Sequence, residues 1–413
     1  MIERQFDPLL CIVKNQLFRS GSGEPLTDPE TALQVLKESR LQTVFSIVFP
    51  ALKKLLLREQ PEKYLKYNEL FMNELISNAN NLSEHNELHR LMEQNDIPYC
   101  ALKGVASAYY YPDPSLRDMG DVDFLVAEKD FERAKKAVLS AGFTVDHGDD
   151  PDSFHTCFKR PPLSIWEQHR SVNGVPGGEI GEKIKAEINR TIETSELITL
   201  DGAVCRIPDA FHHGLIMLLH TASHLTSEGI GLRHLCDWAV FADKLGSSEF
   251  RSLFEDKLKG FGLWRFAQIL TMVSEKYLGA SKKEWAQIPG FTDEQLEAVI
   301  VDILSGGNFG RRDMNRYREI KYISNRGERT VDSKNIVLQA FGTMNRKVYA
   351  DYKFIEKHKL LTPLGWIAEG GKYIGLLITG KRSNKNTSVM LKEAAKRKEI
   401  YSNMELFKAT PHT

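Results

Sequence analysis

The chain is poor in anything that would tie it together covalently. Its 413 residues hold five cysteines, Cys11, Cys100, Cys157, Cys205 and Cys236, an odd number spread far apart with no C-x-x-C pair. That distribution argues against a disulfide framework and a structural zinc site, and fits a reducing cytosol. Charge of one sign is also missing. Lys plus Arg and Asp plus Glu are both 55, a formal net charge of zero. Without a surplus, nothing global draws the chain to nucleic acid or an anionic membrane. Long hydrophobic runs are absent too. VFSIVFPALKKLLL (44–57) is interrupted by Pro50, Lys53 and Lys54, and YIGLLITG (373–380) is far shorter than the roughly 20 residues that span a bilayer. The opening MIERQFDPLLCIVKNQLF carries Glu3, Arg4 and Asp7, and lacks the basic start, unbroken apolar stretch and small-residue cleavage site of a signal peptide. A cytoplasmic protein is expected. No internal repeat or low-complexity tract stands out.

An ordinary apolar fraction, 42%, is enough for a real core. Apolar residues at i, i+3, i+4, i+7 predict helices through residues 1–95, an N-terminal helical region. From 97 the texture changes. IPYCALK (97–103) reads as a strand ending at Gly104, VASAYYY (105–111) as a short helix, PDPSLRDMG (112–120) as a loop and DVDFLV (121–126) as a strand. EKDFERAKKAVLSAGF (128–143) reads as an amphipathic helix and DHGDDPD (146–152) as an acidic loop. SFHTCFKR (153–160) and LSIWEQHR (163–170) read as strands joined at Pro161-Pro162. A helix over 180–198 and a strand pair or loop over 200–209 follow. The expected fold class is α+β: a small mixed sheet in a core of 96–200, a helical domain over 201–310, and a mixed, basic region over 311–413.

Inside that core the stretch LRDMGDVDFLV sets Asp121 and Asp123 two residues apart at the head of an apolar run. Residues i and i+2 of a strand share a face, so two carboxylates lie side by side and repel unless a cation or a proton relieves them. Hard divalent ions such as Mg²⁺ take carboxylate oxygens and leave room for phosphates and water. The pair therefore reads as a metal clamp for phosphate chemistry, of the two-metal kind. The plain alternative is that Asp121 caps the loop and Asp123 is a solvated edge residue. Glu167, which shares a strand face with Leu163, Ile165 and His169, could complete a three-carboxylate site or simply pair with a neighbouring arginine. Upstream, Gly104 opens a helix where backbone N–H groups can approach an anion, with Lys103 beside it.

The run LKG, then YP-x-P-x-x-R-D-M-G-D-V-D-F-L-V, then W-E-Q-H, resembles the uncharacterised nucleotidyltransferase family (NTP_transf_5 type) of the DNA polymerase β-like superfamily. The resemblance implies transfer of a nucleoside monophosphate from an NTP to an acceptor, with Mg²⁺ and possible use of Mn²⁺, and release of pyrophosphate. Asp121 and Asp123 match the D-x-D pair, Glu167 the third acid, Gly104 the turn glycine, and Lys103 and Arg117 positions where the family carries basic residues. The superfamily usually has Gly-Gly or Gly-Ser at the turn. Here Val105 follows Gly104 and the nearest serine is Ser107, so Ser107 joins Lys103, Gly104 and Arg117 as a nucleotide-binding candidate. The likeness extends through HGLIMLLHTASHL to GGNFG (306–310) and LLTPLGW (360–366).

His169 and, in the helical block, His224, Arg233 and Asp237 are the polar candidates for substrate binding. His220 and His224 share a helix face with zinc-compatible spacing, but TAS separates them and the glutamate of H-E-x-x-H is missing. The basic tail from Lys381 to Lys398 reads as a solvated helix face. Two other functions compete: a D-x-D glycosyltransferase, which calls for several βα units before the motif, and a degenerate module that binds a nucleotide or partner without turnover. The acceptor is unspecified. Net neutrality favours a small molecule, peptide or sugar phosphate over a long nucleic acid.

Overall fold

The computed structural model describes residues 6–20, 26–148, 153–310 and 387–408, together with 324–325, 330–331 and parts of 345–369. Four helices come first: α1 (Phe6–Phe18), α2 (Pro29–Leu41), α3 (Phe45–Glu59) and α4 (Pro61–Gln94). Their starts follow local chemistry. The Asp28 carboxylate accepts from the Thr31 N–H ahead of α2, and Pro29 and Pro61 occupy first-turn positions where no N–H is needed.

The α+β core follows as β1 (Tyr99–Ala101), α5 (Gly104–Ala108), β2 (Val122–Val126), α6 (Phe131–Ser140), β3 (Thr144–His147), β4 (His155–Lys159) and β5 (Trp166–His169). Its five strands lie in the order β1-β2-β5-β4-β3, with β2 and β5 parallel and the other pairs antiparallel. Then come α7 (Gly178–Ile188), the hairpin β6 (Glu196–Leu200) and β7 (Ala203–Ile207), α8 (Ala210–Leu225), α9 (Leu232–Lys244), α10 (Ser247–Phe261), α11 (Trp264–Val273), α12 (Asp293–Gly306) and α13 (Thr387–Met404). This is the expected α+β class, a small mixed sheet set among helices.

Three local expectations shift. Thr144–His147 is an edge strand rather than the start of a loop. Most of its side chains are exposed, so no apolar alternation marks it. The helix expected over 180–198 stops at Ile188. Beyond it the Ser195 hydroxyl donates to the Ile192 carbonyl and Thr194 to that of Arg190, which favours a turn before the β-branched stretch of β6. The strand expected over 163–170 begins only at Trp166.

Two apolar cores flank the sheet. Behind it, Val122, Phe124, Val126, Phe158 and Trp166 are buried against the second half of α4, α6 and the β6–β7 hairpin. In front, α1–α3 and α8–α12 share one continuous core that also takes in Leu102 and Leu125 from the sheet region and Tyr401 from α13. Arg397 of the basic tail is buried: its Nε lies 3.0 Å from Asp302 Oδ1, and the Tyr401 hydroxyl donates to Asp302 Oδ2 at 3.0 Å. That residue is an internal tie rather than part of a solvated face, while 381–386 lie outside the described residues. Among the described residues no helix is long and apolar enough to cross a membrane.

Candidate active site

Strand register assembles the site. Asp123 of β2 sits opposite Glu167 of β5, Glu167 opposite Cys157 of β4, and Cys157 opposite His147 of β3. One rank of polar side chains thus crosses four strands. The neighbouring rank on the same face is Leu125, His169 and His155, whereas Val122, Trp166 and Phe158 form an apolar rank facing backward. Asp121 falls just outside β2, exposed at the mouth beside Gly120.

Asp123 is 5% exposed and accepts from Lys103 Nζ at 2.5 Å, with His169 Nε2 2.9 Å from the same oxygen. Glu167 Oε2 is 3.3 Å from His169 Nε2 and 3.9 Å from Lys103 Nζ. One ammonium and one imidazole therefore bridge the two facing acids. Lys103 reaches them from a backbone with φ +50 and ψ −107, a region that L side chains rarely adopt. Such conformations cost on the order of 1–3 kcal/mol and persist where surrounding structure imposes them. The unusual residue of this turn is thus Lys103, not Gly104. A Cβ on Gly104 would meet Arg117 Nη1 at 3.5 Å, an ordinary contact, so the glycine leaves space in the cleft rather than meeting a backbone requirement. Helix α5 is only five residues long, and Ser107 is buried in it against Met217 of α8.

The two aspartates differ electrostatically. Burial pushes the Asp123 carboxyl up, but Lys103 and His169 outweigh it and hold the group well below the usual carboxylate range. Asp121 is raised to about 6 by partial burial and by the negative charges of Asp123 and Glu167. Lys103 is held protonated by Asp123 against the opposing effect of burial. Three carboxylates with one ammonium leave negative charge uncompensated, and their oxygens are the hard donors that Mg²⁺ or Mn²⁺ takes. The residues therefore fit a divalent ion. Asp123, Glu167 and His169 each offer a ligand atom within 4.8 Å of the others.

Opposite the sheet stand α8 and α9. Arg117 and Asp237 are bound to each other: Nη2 donates to Oδ2 at 2.9 Å and Nε to Oδ1 at 3.3 Å, while the Tyr111 hydroxyl donates to Oδ1 at 2.8 Å. All three are buried. Arg233 is different. Its Nη1 donates only to the Asp118 carbonyl, at 3.3 Å, and no carboxylate among the described residues lies within ion-pair distance. Burial, with Arg117 nearby, depresses its pKa. His220 and His234 line the cleft with rings 5.5 Å apart, and burial holds both well below the usual histidine range, hence neutral. His224 stands behind His220, its Nε2 3.1 Å from that of His220 and its Nδ1 3.2 Å from Glu228 Oε2.

The cleft has a volume of about 150 Å³ and is lined by Lys103, Asp121, Asp123, Arg233 and, from α8, His213 and His220, among others. A larger hollow of 340 Å³ between α4 and the β6–β7 turn has Asp201 as its only charged lining residue, so the smaller one gathers the titratable groups. Of the residues singled out from sequence, Lys103, Gly104, Ser107, Arg117, Asp121, Asp123, Arg233 and Asp237 line the cleft. Glu167 and His169 adjoin it through Lys103 and Asp123. His224 lies one residue back. Cys157, His155 and His147 were not singled out. The alternation of His155 and Cys157 was visible on their strand, but His147 fell in the expected loop, and only the pairing of β4 with β5 and of β3 with β4 brings the three near Glu167.

Residues 27–279 match the family described as uncharacterised nucleotidyltransferases, and the chain belongs to that family. The match takes in the whole cleft, whereas 306–310 and 360–366 lie beyond it. No curated protein matches the chain.

Proposed function

We propose that the cleft moves a nucleoside monophosphate from an NTP to an acceptor, with a divalent metal, Mg²⁺ or Mn²⁺, held by Asp121, Asp123 and Glu167. The observation that carries this reading is the register pairing of Asp123 with Glu167 on adjacent parallel strands, with Asp121 at the mouth. When bound, the metal supplies charge neutralisation for the phosphates and a lowered pKa for the attacking group. In the reaction an acceptor hydroxyl oxygen bonds to the α-phosphorus and gives up its proton to solvent, the bond to the bridging oxygen of the β-phosphate breaks, and pyrophosphate leaves.

The chain's own residues orient and neutralise. Lys103 offsets the charge of Asp123 and Glu167, and His169 fixes both carboxylates. Arg233, with no carboxylate partner among the described residues, is the cation best able to grip phosphate oxygens. Arg117 and Asp237 act by bracing the α9 wall that carries Arg233. His220 and Thr221 border the side open to an acceptor, for which a small molecule, peptide or sugar phosphate fits better than a long polyanion. The glycosyltransferase alternative loses ground, because α1–α4 stand where repeated βα units would be needed.

The test is pyrophosphate release from each NTP with Mg²⁺ or Mn²⁺ and a metabolite extract. Asp121→Ala and Asp123→Ala are expected to lower the rate by about 100-fold or more. Wild-type rates in both variants would remove the site assignment. Metal-dependent NTP binding without turnover would favour a binding module.

A further inference from the structure

The polar rank on the front of the sheet changes character halfway across. On β2 and β5 its donors are carboxylate oxygens, but on β4 and β3 they are a thiol and imidazoles. His155 lies two residues before Cys157 and shares its face, while a register shift after Val145 sets His147 opposite Cys157. Bulges of this kind re-aim a side chain. One ligand atom from each of His147, His155 and Cys157 lies within 4.8 Å of the other two. A tetrahedral ion with bonds of about 2.0–2.3 Å holds its ligand atoms roughly 3.5 Å apart, so modest side-chain rotation closes the set. His147, being exposed, is free to make it.

Two further details fit an ion. His155 Nδ1 is buried without a hydrogen-bond partner among the described residues, an unusual state for a polar atom. His147 Nδ1 lies 3.0 Å from Asp146 Oδ2, the carboxylate–histidine arrangement that fixes the tautomer and leaves the Nε2 lone pair for a metal. The Cys157 thiol, 3.8 Å from Glu167 Oε1, would release its proton to solvent on ligation.

We propose that His147, His155 and Cys157 form a second metal site, selective for a borderline transition-metal dication of the zinc class, next to the carboxylates. Ligand softness separates the two sites: oxygen donors hold Mg²⁺, and the N₂S set excludes it. Three protein ligands leave a fourth position for water or substrate, on the side of Glu167. This site does not depend on nucleotidyl transfer and stands or falls separately.

Titration of the full chain with Co²⁺ in excess Mg²⁺ tests it. The expected result is one equivalent of cobalt with a thiolate-to-metal charge-transfer band. That band should be absent in Cys157→Ser and unchanged in Asp123→Asn. His147→Ala, at an exposed position that does not endanger the fold, should weaken cobalt binding by about tenfold or more. No band in the wild type, a band that persists in Cys157→Ser, or unaltered affinity in His147→Ala would overturn the proposal.

Discussion

Asp121 and Asp123 are two residues apart yet titrate in opposite directions, and this sets how the site answers to pH. Asp123 is ionised throughout the ordinary range. Asp121, raised to about 6, keeps its proton in the folded metal-free protein at pH values where the unfolded chain has lost it. Between about pH 4 and 6 the unfolded state binds fewer protons, so Asp121 makes stability fall as pH rises through that window. Asp121→Asn is therefore expected to melt higher than the wild type above pH 6 without metal, a difference that thermal scans would read. A divalent ion must displace that proton. Mn²⁺ affinity should drop by about tenfold per pH unit below 6 in the wild type and lose that slope in Asp121→Asn, as calorimetry would show. The two arginines separate likewise. Arg233→Met should raise the KM for NTP with folding intact. Arg117→Met leaves Asp237 buried without its cation and should cost about 3–5 kcal/mol of stability, read by denaturant melts.

At the scale of elements, α4 sets where β5 begins. Glu84, 3% exposed on α4, accepts from the Ser164 N–H and hydroxyl at 3.1 Å and from Trp166 Nε1 at 2.9 Å. These contacts anchor Ser164 and Trp166 to α4, and with them the register that carries Glu167 to Asp123. Glu84→Ala removes acceptors from buried donors and should cost about 2–4 kcal/mol, with faster amide exchange in β5 and a lower turnover number. The helices and the D-x-D strand were legible in sequence because caps, prolines and apolar periods are local. The onset of β5 was not, because the residue that decides it lies on another element. Likewise the YYY run (109–111) could stack on a base, although helix packing is the better reading of it from sequence. Only its partners decide: Tyr110 stacks on His213 at 5.1 Å, and Tyr111 bonds Asp237.

Across the whole molecule, the N-terminal helices help to build the far wall of the cleft. Gln42, fully buried after α2, donates to Leu304 O at the end of α12 at 2.8 Å and accepts from the Leu232 N–H at the start of α9 at 3.0 Å. The Gln42 carbonyl accepts from the Arg233 N–H at 3.3 Å. One side chain thus joins three helices and orients the turn bearing Arg233. Gln42→Leu is expected to lower stability by about 2–4 kcal/mol and to raise the KM for NTP more than it lowers kcat, a split that steady-state kinetics would resolve. Gly174 marks another close approach. At φ +102, a Cβ there would fall on the Leu219 carbonyl of α8, which fixes the chain leaving β5 against the cleft wall.

By itself the sequence determined the α+β class, the helical N-terminus and the strand that carries Asp121 and Asp123, because each follows from spacing within a short stretch; it offered Glu167 as a candidate third acid, and register places it opposite Asp123. It also carried the family, through the 102–169 block. Tertiary structure decided which charges pair with each other among the described residues. Arg117 and Asp237, both candidates for ligand binding, bind each other. Among the described residues the Arg233 side chain meets a backbone carbonyl rather than a carboxylate, and the strained backbone belongs to Lys103 rather than to Gly104. It also set Cys157, His155 and His147 beside Glu167. Ion pairing and strand register join residues distant in the chain, and no period in the sequence encodes which of them meet.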